Sequence, residues 1–208
     1  MRTFTLITFV CIAVLLFGSC GESDPSTSNA SDIKKNVKPV ADNEVAILEM
    51  DNSSAFGQVT IELYSNLAPL MVARFKELAR EGVYNGVTFH RINQSVIQTG
   101  DPLSKDDDPA NDGQGESDKP DVAAEFSDVP YDAGIVGAAR ESDFNSANSQ
   151  FFITLKREPG FDNRYTVFGK VVEGMNNVRT IAGTPRSGER PLDDIRIKSI
   201  RIEPRTGK

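Results

Sequence analysis

The chain has no tryptophan, one histidine and two cysteines among its 208 residues. These scarcities remove whole classes of chemistry. Cys11 and Cys20 both lie within the first 20 residues, so the remainder has no thiol for a disulfide, a zinc site or a nucleophile. With His90 the only imidazole, a multi-histidine metal centre and a Cys/His pair are excluded. A Ser/His/Asp triad would have to use His90, and no nucleophile-elbow pattern accompanies it. Positive charge is also short: 23 Lys and Arg against 30 Asp and Glu give a net −7, which argues against nucleic acid as a partner. No stretch is suited to spanning a bilayer, because the apolar run at residues 6–17 is too short to cross one comfortably.

What is present begins with that run. Met1-Arg2, the apolar segment and then Gly18-Ser19-Cys20 form a charged start, a hydrophobic core and small residues before a cleavage point, the pattern of a secretory signal peptide. LLFGSC followed by Gly21 resembles a bacterial lipoprotein signal, which implies removal of residues 1–19 and lipidation of Cys20. The two readings differ in whether the mature chain carries a lipid. Residues 20–43 are rich in Ser, Asp, Asn and Pro with little apolar periodicity, and are expected to form a disordered tether behind the anchor. The lipoprotein reading places the protein in a bacterial cell envelope, with the membrane as a partner through Cys20. Gly21 supplies no acidic retention signal after the cysteine, so by resemblance to other lipoproteins the outer membrane is expected.

Residues 44–205 read as one domain, followed by a tail at 206–208. Short β-branched runs recur at residues 45–50, 59–64, 86–91, 150–155, 165–171 and 195–202. Pro69 opens a helical pattern carried by Val72, Phe75 and Leu78, stopped at Gly82; a second helix is marked by Met175, Val178 and Ile181 and ends at Gly183. Many short strands with two helices and no regular β-α alternation imply a mostly β protein, its antiparallel sheet closed on itself and its open ends covered by helices. The acidic loop at 102–121 does not have calcium-loop spacing. With Gly113 at the glycine position, Asp108 falls first but Ala110 third and Lys119 twelfth. It reads as a solvated surface loop.

Five segments in order, ELYSNLAP, EGVYNGVTFHRI, VIQTGDP, GIVGAARESDFNSANSQFFITL and FDNRYTVFGKVVEGM, resemble the cyclophilin-type peptidyl-prolyl cis-trans isomerases. That resemblance implies a closed eight-stranded antiparallel β-barrel capped by two α-helices, with an active groove on its outer face. It implies peptidyl-prolyl isomerase activity on proline-containing polypeptides by a monomer without cofactor or metal. The FHR motif assigns catalysis to Arg91, with Gln98 and Gln150 holding substrate backbone and orienting the arginine, and Phe152 forming the proline pocket. Ala139 and Arg140 line the adjoining peptide groove. Adjacent side chains on a strand leave opposite faces, so with Arg91 outward His90 turns inward and is not a base.

The chain departs from the family pattern at four places. Arg91 to Gln98 is seven steps where eight are usual, which sets Ser95 and Val96 against the usual Phe-Met pocket wall. Phe161 and Tyr165 stand where Leu and His are common, with Phe161 able to refill the pocket. Gly160 takes the place of a frequent tryptophan, implying weak cyclosporin binding. A low-turnover peptide-binding or chaperone module with the same fold is the alternative these departures leave open.

Overall fold

A computed structural model describes residues 33–206. The expected signal peptide, Cys20, the first part of the tether and the last two residues lie outside that range. Ten strands and three helices are present among the described residues, β1 to β10 and α1 to α3 in chain order. Strand β1 (Glu44–Met50) shows how the sheet is specified. Ala46, Leu48 and Met50 alternate into the core, and the strand sits between β2 (Gln58–Leu63) and β10 (Ile197–Pro204), pairing Leu48 with Val59 on one side and Ile200 on the other. The β1–β2 connection holds a single helical turn, α1 (Ser53–Phe56).

Helix α2 (Pro69–Arg80) buries Met71, Val72, Phe75, Leu78 and Ala79, the spacing of one helical face. Phe75 packs between the rings of Tyr84, Phe151 and Phe168 at centroid distances of 5.3–5.4 Å. Ala68 cannot cap this helix. The first free amides are instead taken by Glu125, whose carboxylate accepts from Leu70 N at 3.2 Å and Met71 N at 3.0 Å. Helix α3 (Met175–Ala182) buries Val178 and Ile181 and stops at Gly183. It starts from Gly174, whose φ of 86° and approach to Gln58 O leave no room for a side chain.

The main sheet runs β10-β1-β2-β7-β5-β6-β4-β3, antiparallel throughout, adding β3 (Arg91–Ile92), β4 (Val96–Thr99), β5 (Ile135–Ala138), β6 (Phe151–Thr154) and β7 (Val167–Glu173). A small hairpin of β8 (Arg186–Ser187) and β9 (Arg190–Pro191) stands apart. The expected closed barrel is corrected here: the eight strands curl into an open half-barrel, and end strands β3 and β10 form no ladder with each other. The run expected as a strand at 86–91 contributes the two residues of β3, the isolated bridge Thr88–Arg196 and three backbone bonds, Gly86 N to Ile197 O, Ile197 N to Val87 O and Phe89 N to Ile195 O, but no continuous ladder.

Part of the segment expected as tether, residues 33–43, is among the described residues. Residues 33–43 lie on the domain: Lys34 N donates to Phe126 O at 2.9 Å, Lys34 Nζ to Leu67 O at 2.7 Å, and Asp42 pairs with Lys76 at 2.6 Å. Val37 and Ala41 pack on a second apolar cluster of Tyr64, Leu67, Val96, Tyr131, Ile135, Phe152 and Val167. This cluster lies outside the main core and continues beneath the cavity described next.

Candidate active site

Arg91 and His90 leave the chain on opposite sides. The Arg91 side chain is 47% exposed while His90 is 8% exposed, and neither imidazole nitrogen has a hydrogen-bond partner. Burial pushes the His90 pKa down to about 4, outweighing the opposing pull of Asp101. A neutral, enclosed ring of this kind is packing, not a base in contact with substrate.

The seven-step spacing from Arg91 to Gln98 has a structural meaning. In the β3–β4 hairpin, Arg91 pairs directly with Gln98 and Ile92 with Ile97, so the first two project from the same face. The short turn between them is closed by Asn93, whose Oδ1 accepts from Ser95 N at 2.8 Å and Val96 N at 2.9 Å. The missing residue is absorbed in that turn.

From the hairpin a polar chain runs across the sheet. Arg91 Nη1 donates to Gln98 Oε1 at 3.3 Å, Gln98 Nε2 donates to Gln150 Oε1 at 2.9 Å, and Gln150 Nε2 donates to Gly113 O at 3.0 Å and Gly115 O at 2.8 Å. On its other side Arg91 Nε donates to Glu189 Oε2 at 2.5 Å. The acidic loop read as mere solvated surface therefore supports a site residue through its carbonyls. Loop residue Gly113 is itself held by the buried carboxylate of Asp101.

Arg91, Val96, Gln98, Ala139, Arg140, Phe152, Phe161 and Tyr165 line one cavity of about 110 Å³. Eight of the nine residues expected from sequence thus meet here, and the ninth, Gln150, lines the adjoining cavity together with Gln98, Ala139 and Arg140. Three rings form the apolar wall. Phe152 meets Phe161 and Tyr165 edge-on at 5.5 Å each, and Phe161 meets Tyr165 at 5.1 Å, so Phe161 supplies an aromatic face beside Val96. Arg140 is not a free surface charge. Its guanidinium lies 4.5 Å from the Phe144 ring centre and 4.7 Å from that of Tyr165, and donates to Arg164 O at 2.9 Å. It stands as a fixed post between the two cavities.

Sequence reasoning missed Tyr131 and Glu189. Tyr131 is fully buried and stacks behind Phe152 at 5.8 Å, and burial pushes its phenol well above the usual range. Gly137, opposite Phe152 in the β5–β6 pair, makes room for both rings: a Cβ there would sit 2.5 Å from Phe152 Cζ and 2.6 Å from Tyr131 Oη. No local signal announces Tyr131, because what matters is its cross-sheet neighbour. Glu189 lies 98 positions from Arg91. Among the described residues no group of three His, Cys, Asp or Glu converges as metal ligands.

Comparison with known proteins places the chain among relatives of one family. The family model described as cyclophilin type peptidyl-prolyl cis-trans isomerase/CLD matches residues 47–202. A probable peptidyl-prolyl cis-trans isomerase of Brucella suis is 49% identical over 130 residues, covering 60% of this chain and 66% of that protein, just under two thirds of its length. A peptidyl-prolyl cis-trans isomerase of Dictyostelium discoideum is 37% identical over 148 residues, covering 68% of this chain and 88% of that one. A cyclophilin-type isomerase of Cryptosporidium parvum, solved in the presence of the dipeptide Ala-Pro, superposes with a TM-score of 0.68 at 27% identity over 76% of this chain and 98% of that one.

Proposed function

The chain belongs to the cyclophilin-type peptidyl-prolyl cis-trans isomerases, and from that premise we propose that it accelerates X-Pro rotation in polypeptides laid across the Arg91 cavity. The observation that carries this reading is a guanidinium held on two sides at the rim of an aromatic pocket. An X-Pro amide resists rotation by about 18–20 kcal/mol because nitrogen donates its lone pair into the carbonyl. Twisting the bond returns that pair to nitrogen. A donor fixed beside the prolyl nitrogen then binds the twisted amide better than the planar one, and only such differential binding lowers the barrier. A reduction of roughly 7 kcal/mol corresponds to about five decades in rate. No proton moves, which suits a site whose neighbouring histidine is buried and neutral at pH 7. Phe152, Phe161 and Tyr165 receive the proline ring, while Gln98, Gln150 and Ala139 face the peptide on either side. The Ala-Pro dipeptide accompanying the Cryptosporidium relative supports proline-containing peptides as the substrate class.

The test is the cis-to-trans rate of a proline tetrapeptide. Wild type should catalyse it, and Arg91→Ala should lower kcat/KM by about 10²–10³-fold, the usual cost of losing one transition-state donor. Peptide binding with no turnover by wild type would favour the binding-module alternative instead.

The reading extends to the envelope: Cys20 carries the lipid and the outer membrane holds the protein, where X-Pro isomerisation would limit the folding of translocated chains. The charged start, the apolar run and the position of Cys20 support it. Wild type should fractionate with membranes and Cys20→Ala should not carry lipid. Wild type found in the soluble cytoplasm with residues 1–19 attached would defeat it.

A further inference from the structure

No residue of the β8–β9 hairpin lines the proline cavity, yet its turn residue Glu189 is the shortest-range partner of Arg91. Glu189 Oε2 accepts from Arg91 Nε at 2.5 Å and Glu189 Oε1 accepts from Asn93 Nδ2 at 2.9 Å, so both oxygens are engaged and the carboxylate plane is set. The backbone joins in, with Ile92 N donating to Glu189 O at 2.6 Å. The adjacent Arg190 ties the hairpin to the far side of the site through Asp112 Oδ2 at 3.0 Å and to Asp194 at 3.2 Å. Asp112 precedes Gly113, whose carbonyl accepts from Gln150. The contacts therefore close into a ring, from Glu189 through Arg91, Gln98 and Gln150 to Gly113, and back by Asp112 and Arg190.

We propose that Glu189 is a positioning residue for Arg91, and that the Asp112–Arg190 pair holds Glu189 in place. The inference rests on the isomerase reading above and adds to it the groups that aim the guanidinium. A guanidinium has five N–H donors. Glu189 takes the one on Nε and Gln98 one on Nη1; no described residue accepts from Nη2, leaving that end of the fork for substrate. Both partners of the ion pair are about half exposed, and pairs so exposed contribute little to stability. What the pair does supply is direction: without it the long side chain is tethered only by the 3.3 Å contact to Gln98. The hydrogen bonds from Arg91 and Asn93 hold the Glu189 carboxyl below its ordinary range, so it is ionised wherever the enzyme is assayed near neutrality.

Glu189→Ala should lower kcat about tenfold with KM changed less than about twofold, since misaimed catalytic groups lose rate before binding. Glu189→Gln, whose amide oxygen still accepts from Nε, should recover part of the loss. In an Arg91→Ala background Glu189→Ala should cost nothing further, as required of a residue acting through another. Asp112→Asn should lower kcat in the same direction and be silent once Glu189 is alanine. A Glu189→Ala enzyme with wild-type kcat, or one in which only KM rises, overturns the proposal. The ¹⁵N–¹H resonance of Arg91 Nε separates this inference from the isomerase reading. Wild type without turnover would sink that reading alone. An Nε signal that shifts and exchanges faster in Glu189→Ala supports the pairing in either case, and an unchanged signal refutes it.

Discussion

His90 and Arg91 share a peptide bond, and their side chains leave it in different directions, one buried against Gly113 of the 102–121 loop and the other to solvent. Their replacements should therefore separate stability from turnover. Arg91→Ala removes a half-exposed side chain, and its stability should stay within about 0.5 kcal/mol of wild type while activity collapses. His90 behaves in the reverse way. Its pKa is near 6.5 when unfolded and about 4 when folded, so between those values the unfolded chain takes up a proton that the folded one does not. The contribution of His90 is complete above pH 6.5 and is lost as pH falls towards 4, roughly 2 kcal/mol of it by pH 5. Urea denaturation at pH 7 and pH 5 should show wild type losing about that much more stability than His90→Gln on acidification. Equal losses in the two proteins would mean the imidazole is not held neutral.

Elements in this protein are specified by local pattern and finished by distant residues. Helix α2 is legible from Pro69 and the spacing of Val72, Phe75 and Leu78, but its cap is not, because Ala68 at the cap position carries no acceptor. Glu125 fills that role from 54 residues away from Met71. Glu125→Ala should destabilise the protein by about 1 kcal/mol in urea, the ordinary cost of a lost helix cap, with kcat/KM unchanged because the Glu125 side chain lines neither cavity. The β3–β4 hairpin shows the opposite balance. Its one-residue deletion is visible in sequence, and the register it enforces, Arg91 opposite Gln98, follows from strand pairing. That Asn93 closes the turn and also engages Glu189 is a matter of three dimensions.

For the whole molecule, residues 33–43, just before β1, belong to the fold. Residues 33–43 cover the second apolar cluster with Val37 and Ala41 and place Asp42 against Lys76. A chain beginning at Glu44 should be less stable than one beginning at Ile33 by roughly 2 kcal/mol, the scale of a buried aliphatic side chain with its polar contacts. Equal urea midpoints would show the segment to be dispensable. Composition alone reads these residues as tether, since few apolar residues without period do not reveal that a groove awaits them. The sequence by itself determined the family, the mostly β class, the outward Arg91 and the aromatic residues of the pocket. Each depends on residue identity, on two-residue alternation or on segments recognisable in order. Only tertiary structure decided that the sheet stays an open half-barrel, that Tyr131 backs Phe152, and that Glu189 holds the guanidinium. Those are distances between residues far apart in the chain, set by how the curled sheet brings its edges and loops together, and local periodicity contains no term for them.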